Sequence, residues 1–425
     1  MKINLLTLSM IWNRNTLGEI YKMEGGSVQT GPFGSQLHES DYTEFGIPVI
    51  MPKDIVDDQL DLTNIAHISI VDAERLSQHI VQKNDIVCPR RGEIGKRVII
   101  NNENVGAFCG TGCIRLRGTG SILNPLFLFY FLKQPRVVKW IENQAIGATM
   151  MNLNTSILNS IPITYPSLSV QNEIVSLLLA HDNLIENNKQ RITLLEELAE
   201  DIYKEWFVRL RFPGYESTKF LNEAGNELKP QTGRALPIDW QRLKLGSVLA
   251  SIKRKPKLNT DQYLTNGIFP IIDQGEAFIS AFTNEESFVH YEPLPIVVFG
   301  DHTRRIKYLC NPFASGADGT QLLYPKNKSL LPIYFYLAIK NIDLSNFHYA
   351  RHFKFLKQEL MLIPDNNTLL AFNELVTPYF DEINVINAKN LLLQQTRDLL
   401  LPRLISGKLS VEHLAEQNPE GVTGL

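Results

Sequence analysis

Apolar residues recur at alternating spacings of four and three along two stretches of this chain. In the first, Ile174, Leu178, His181, Ile185, Asn188, Ile192, Leu195, Ala199, Ile202 and Trp206 follow that rhythm. Adding 198 to each number gives Phe372, Val376, Tyr379, Ile383, Ile386, Asn390, Leu393, Arg397, Leu400 and Leu404, with the same spacing. A period of 3.5 sustained over more than four heptads predicts a coiled-coil seam. Each stretch would be roughly 50 Å long at 1.5 Å per residue. Each seam carries an asparagine, Asn188 and Asn390, the residue type that fixes register at a cost in stability. Amphipathic helices packed on a globular core would favour a period of 3.6 instead.

Outside the seams the pattern switches to short β-rich runs broken by Gly and Pro turns. The offset of 198 also carries Pro166 onto Pro364, each after a strand-like run, Ile161–Tyr165 and Leu360–Ile363. Upstream, Leu17-Gly18 echoes Leu245-Gly246, and Asp85-Ile-Val-Cys-Pro-Arg-Arg-Gly92 faintly echoes Pro295-Ile-Val-Val-Phe-Gly-Asp301. Each half holds one apolar helix-like patch, Pro125–Lys133 and Leu331–Lys340. The chain therefore reads as α+β, in the order globular, helix, globular, helix. A linker rich in Gly, Pro, Asn and charge runs from Phe212 to Pro237. From Gly18 to Pro166 is 148 residues and from Gly246 to Pro364 is 118, so loops or whole strands differ between the copies.

Composition narrows the class. A chain of 425 residues suggests two or three domains, and 44% apolar content suffices for sizeable cores. The longest apolar stretch, Leu126–Leu132, falls far short of the ~20 residues that cross a bilayer. Met1 to Trp12 has one Lys and no small-residue cleavage site, so no signal peptide is expected. Cys109 and Cys113 are spaced like half a zinc site, but no second Cys/His pair follows at a fitting distance. Free thiols, no bound metal and a cytoplasmic location are the expectation. The net charge of −3 conceals an uneven distribution. Gln241 to Leu360 has 15 Lys/Arg against 10 Asp/Glu, Trp12 to Ser160 has 14 against 15, and Pro166 to Leu210 has 4 against 8.

Motifs for catalysis are missing from this reading. There is no Gly-x-x-x-x-Gly-Lys-Ser/Thr phosphate loop. Asn124-Pro-Leu-Phe127 and Asn311-Pro-Phe-Ala314 lack the second proline of the tetrad with which amino-methylating DNA enzymes hold a flipped base. Gly106-Ala-Phe-Cys-Gly-Thr-Gly112 opens no helix with an acidic residue ~20 positions on, so a tight strand turn is expected there. His302 near Asp301 and Ser315 near Asp318 do not by spacing assemble a triad.

Basic residues instead cluster in Gly-punctuated loops of both copies. The first has Arg90, Arg91, Lys96 and Arg97, with Arg115 and Arg117 nearby. The second has Lys253, Arg254, Lys255 and Lys257, then His302, Thr303, Arg304 and Arg305, then Arg351, His352 and Lys354. Lys and Arg suit phosphates, while Arg, Asn, Gln, Lys and Ser/Thr read base edges in the major groove. One such cluster alone would read as a solvated face; its recurrence favours DNA.

Several strings, in this order and spacing, make the chain resemble the specificity subunits of type I restriction–modification systems. They are Thr30-Gly-Pro-Phe-Gly-Ser-Gln-Leu37, Gly46-Ile-Pro-Val-Ile50, Asp54-Ile55, Arg91-Gly-Glu-Ile-Gly95, Gly147-Ala-Thr-Met-Met-Asn-Leu-Asn154 and Ile161-Pro-Ile163. Gln171-Asn-Glu-Ile174, Glu205-Trp-Phe207 and Phe212-Pro-Gly-Tyr-Glu216 fit the first spacer. Leu236-Pro-Ile-Asp-Trp240, Tyr349-Ala-Arg-His-Phe353 and Leu400-Leu-Pro-Arg-Leu-Ile-Ser-Gly407 fit the second half. The resemblance implies two globular target-recognition domains separated by two long antiparallel coiled-coil helices. The segments would be 1–166 (first recognition domain), 167–211 (first spacer helix), 212–239 (linker), 240–364 (second recognition domain), 365–410 (second spacer helix) and 411–425 (tail). Each domain would read one half of a split site in double-stranded DNA, and the helices would fix the gap and bind two methyltransferase subunits. Those partners and the motor–nuclease subunits would supply the chemistry of S-adenosylmethionine, ATP and Mg. The turn carrying Gly31, Phe33 and Ser35 and the segment carrying Thr149 and Asn152 join the candidate DNA contacts. A single-chain restriction–methylation enzyme and a DNA-independent scaffold are the competing readings.

Overall fold

Both heptad stretches are long helices. The computed structural model describes residues 12–93, 95–145, 152–222, 224–229, 235–316, 319–346 and 351–411. Within it the first helix spans Leu168–Tyr203, with a π-helical turn at Lys204–Val208, and the second spans Asn366–Ile405. Asp365 caps the second helix, its Oδ1 accepting the N–H groups of Asn367 (2.9 Å) and Thr368 (3.0 Å). Gly407, at φ 71°, follows its end in the left-handed conformation that glycine adopts without strain. Ile174, Leu178, Ile185, Asn188, Phe372, Val376, Ile383, Ile386 and Asn390 are buried. Ile192, Leu195, Ile202, Leu393 and Leu400 are partly buried.

Packing divides the chain into two units, Met1–Glu186 with Leu391–Leu425, and Asn187–Asn390. Each combines a globular part with stretches of both helices. In the second unit Asn188 Nδ2 donates to Asn390 Oδ1 (2.8 Å), Arg191 pairs with Glu382 (2.7 Å) and the rings of Trp206 and Phe372 meet at 5.7 Å. A step up one helix is therefore matched by a step down the other, and the two segments are antiparallel. That register sets Ile192 opposite Ile386, Leu195 opposite Ile383 and Ile202 opposite Val376. In the first unit Asp182 pairs with Arg397 (2.7 Å), and Ile174 and Leu178 share a core with Leu401 and Leu404.

The globular parts repeat one plan. Asn13–Thr16 pairs antiparallel with Pro162–Tyr165 in the first unit, and Gln241–Lys244 with Leu360–Ile363 in the second. Each pair joins the two ends of a globular part just ahead of a long helix. A second sheet has a parallel core, Ile47–Ile50 with Phe108–Cys109, matched by Phe269–Ile272 with Phe313–Ser315. A third sheet centres on antiparallel pairs, Ile86–Pro89 with Cys113–Arg117 and Ile296–Gly300 with Thr320–Leu323. The two apolar patches are helices Pro125–Leu132 and Pro332–Lys340. They are apolar on all sides and lie in the cores, as helices without a polar face must. Helix Pro135–Gln144 of the first unit has no counterpart among the described residues of the second, which accounts for part of the length difference. Among the described residues no helix is long and apolar enough to cross a membrane.

Candidate nucleic-acid interface

Equivalent strands in the two units end in the candidate loops. In the first unit Ile86–Pro89 runs out at Arg90, whose N–H donates to Gly112 O (2.7 Å) and whose carbonyl accepts the N–H of Leu153 (2.8 Å). The next residue, Arg91, forms an antiparallel bridge with Asn152. Facing residues in such a bridge lie ~5 Å apart at Cβ, so an arginine and an asparagine from distant parts of the sequence stand side by side, both exposed. The Arg90 guanidinium lies 5.8 Å from the centre of the half-exposed Phe33 ring. Gly31, Phe33, Arg90, Arg91 and Asn152 thus converge on one place, and Ser35 is exposed on the adjoining turn.

Gly31 supports this site from within. It is buried, and its N–H donates to Cys113 O (2.9 Å). A Cβ added there would fall 1.9 Å from Gly110 O, which only a backbone shift relieves. Gly31→Ala is expected to cost about 1–3 kcal/mol, as overpacking does, and to weaken DNA binding along with it. A urea midpoint equal to wild type would show that the two backbones need not approach so closely.

Other candidates of the first unit are placed differently. Arg97 is buried, with Nε 3.7 Å from Asp58 and Nη2 donating to Gly95 O. Burial lowers its pKa from the usual guanidinium range, with Asp58 acting against the shift. Its charge therefore serves an internal pair, which Lys133 joins at 2.8 Å from Asp58. Lys96 pairs with Glu93 (2.8 Å), and Thr149 lies outside the described residues. Arg115 and Arg117 hold the sheet together, Arg115 donating to Gln78 O and Gln29 Oε1 and Arg117 pairing with Asp85.

In the second unit the strand Ile296–Gly300 runs out at Asp301. The Asp301 carbonyl accepts the N–H of His352 (2.9 Å), as that of Arg90 accepts Leu153, and its carboxylate accepts the N–H of Phe353 (2.8 Å). Around it His302 N–H donates to Gln274 Oε1 (3.1 Å), Thr303 Oγ1 donates to Gln274 O (2.7 Å) and Arg304 donates to Leu344 O (3.1 Å). Arg305 pairs with Glu276 (2.6 Å). Arg254 donates to Gln321, whose strand position faces Phe299, so the Lys253–Lys257 loop borders the same strand end. Lys253 and Lys255 are exposed and Lys257 is partly buried. Arg351 and Lys354 are exposed, whereas His352 is buried and its Nδ1 has no partner. The backbone of His352 anchors this loop, and its flanking cations face solvent. Sequence reasoning missed Gln274 and Gln321, which no local pattern distinguishes from other surface glutamines.

Burial pushes the Cys88 and Cys109 thiols up to about 12, so both stay protonated at neutral pH. Among the described residues no group of three or more His, Cys, Asp or Glu is placed to hold a metal ion.

Residues 12–197 match the family described as "Type I restriction modification DNA specificity domain". The type I restriction enzyme MjaIX specificity subunit of Methanocaldococcus jannaschii is 24% identical over 95% of this chain and 94% of its own. The EcoBI specificity subunit of Escherichia coli is 29% identical over 31% of this chain and 27% of its own. Among solved structures, the type I restriction–modification S subunit from M. genitalium has the same fold, with a TM-score of 0.52, 19% identity and coverage of 95% of this chain and 98% of that one. Residues 12–197 thus match a type I DNA specificity domain, and the chain from end to end is similar to the specificity subunits of type I restriction–modification systems and shares the fold of one of them.

Proposed function

We propose that each unit reads one half of a bipartite site in double-stranded DNA through its strand-end loops, and that the chain itself performs no catalysis. One observation carries this reading: the same construction, a strand whose last carbonyl accepts an N–H from the segment ahead of the long helix, occurs in both units, at Arg90–Leu153 and Asp301–His352. Around it stand exposed polar side chains, Arg91 and Asn152 in one unit and Lys253, His302, Arg351 and Lys354 in the other. Base-edge contacts of Arg and Asn contribute ~1–3 kcal/mol of discrimination each.

In the same reading the long helices fix the gap between the half-sites and dock two methyltransferase subunits. Motor–nuclease subunits complete the assembly, and S-adenosylmethionine, ATP and Mg belong to those partners. The helices carry apolar side chains that face away from the seam, Leu194 (59% exposed) in the second unit and Leu392 (61% exposed) in the first. These two residues are 198 apart, so the internal repeat presents one such site per unit, matching two copies of one partner.

The test uses the chain assembled with its methyltransferase partners and maps the methylated sites. Arg91→Ala is expected to weaken binding about tenfold or more and to relax only the first half-site; Arg351→Ala with Lys354→Ala should affect only the second. A variant in one unit that altered both half-sites would refute the division of labour, and methyl transfer by the isolated chain would refute the non-catalytic role. Leu194→Lys is expected to leave a complex with one methyltransferase, read by native mass spectrometry; an intact complement of two would remove the helix face as the docking site.

A further inference from the structure

Buried and partly buried polar contacts join the long helices in both units, beside the exposed pair Arg191–Glu382. In the second unit Asn188 and Asn390, both buried, share a hydrogen bond of 2.8 Å. In the first unit Arg397 Nη1 donates to Asp182 Oδ1 at 2.7 Å, and Tyr130 Oη donates to the other carboxylate oxygen at 2.6 Å. The 198-residue offset gives the two helices the same heptad phase, so the seam of each is in step with that of a second copy of itself. The repeat also fixes what such a pairing would contain. In a pair of first helices, Ile192 occupies the place of Asn390 and Ala199 the place of Arg397, leaving Asn188 against isoleucine and Asp182 without its cation. In a pair of second helices, Ile386 occupies the place of Asn188 and Phe380 the place of Asp182, leaving Asn390 against isoleucine and Arg397 without its anion. Neither polar layer recurs at its own repeat-related position, so each is satisfied only when a first helix meets a second.

We propose that these two contacts make the seam reject a second copy of either helix, so that the two halves of the chain pair only with each other. Its function is partner choice: every assembly then carries one copy of each globular part, never two of one kind. A pair of like helices buries an unpaired amide from each copy. Exchange of two native pairs for the two like pairs therefore strands four amides, and at ~1 kcal/mol for each the equilibrium moves by roughly a thousandfold against exchange. The stranded Asp182 and Arg397 move it further the same way. This inference does not depend on the proposed DNA reading.

The test starts from the full-length chain with a protease site inserted at the exposed turn Ala224–Asn226. The folded protein is cleaved, incubated at high concentration and weighed intact by native mass spectrometry. The wild-type halves should remain as one-to-one pairs of unlike pieces. In Asn188→Ile with Asn390→Ile the layer matches its apolar neighbours Ile192 and Ile386, and like pairs should rise by roughly a thousandfold relative to wild type. Like pairs at statistical abundance in the wild type would overturn the proposal, as would a double variant that stays as exclusive as the wild type. Thermal melts of the uncleaved chain give a second reading. Either single change should lower the midpoint more than the double change does; equal midpoints for singles and double would also overturn the proposal.

Discussion

Phe372→Ala should unfold the second unit at a temperature about 6–20 °C below wild type. Phe372 is fully buried, and its ring meets those of Phe207 at 4.9 Å, Trp206 at 5.7 Å, Tyr334 at 6.3 Å and Tyr203 at 6.4 Å. Several of these contacts are edge-to-face, the arrangement the ring quadrupole favours. Truncation to alanine removes the transfer energy of the ring and leaves a cavity whose walls are themselves rigid aromatics. A loss of about 3–5 kcal/mol follows, which for a unit of this size corresponds to the stated shift at ~2–4 °C per kcal/mol. Phe372→Leu fills much of the space and should lose less than half as much. Hydrogen exchange should place the loosened amides in the second unit. A loss below about 1 kcal/mol would mean that the site collapses onto the alanine and that the cluster is not what joins the helices to the second core.

This cluster also shows what was legible in the sequence. Trp206 and Phe372 were visible as seam residues because helical spacing is a local property, and a 3.5-residue period survives in any context. The repeat offset was equally visible, and with it the flanking strands and the two apolar helices. Phe207 and Tyr334 were not, because their meeting depends on how the second core folds onto the helix. The same distinction runs through the candidate interface. Arg90 and Arg91 stood out as a basic pair, and Asn152 as one residue of a polar segment, but nothing local says that a β-bridge joins them. Arg97 looked like their equal, because sequence does not reveal that Asp58 waits beside it in the fold. Asp301 was noted only as part of a faint echo of the first copy and as a neighbour of His302. Its importance lies in two backbone N–H groups contributed by residues some 50 positions later.

Asp85→Ala should destabilise the first unit by about 3–5 kcal/mol, the cost of breaking a buried ion pair from one side. The Asp85 side chain is 1% exposed and holds Arg117 through two contacts, Nε at 2.8 Å and Nη2 at 2.5 Å. Its Oδ2 also accepts the N–H of Gln82 (2.7 Å), which closes the turn leading into the strand Ile86–Pro89. Alanine removes all three contacts at once. Arg117 retains 26% exposure and a hydrogen bond to Ile80 O, so water can solvate part of its charge, and the loss should fall toward the lower end of the range. Asp85→Asn preserves shape and the acceptor for Gln82 while deleting the charge, and should lose roughly half as much. Equal losses for the two variants would assign the stability to the turn and none of it to the ion pair. Because this strand ends at Arg90 and Arg91, loosening its start should also blur the first half-site while leaving the second intact. Normal discrimination at the first half-site, in a protein shown to be destabilised, would mean that the reading loop is held by Gly112 and Leu153 alone, independently of the strand that carries it.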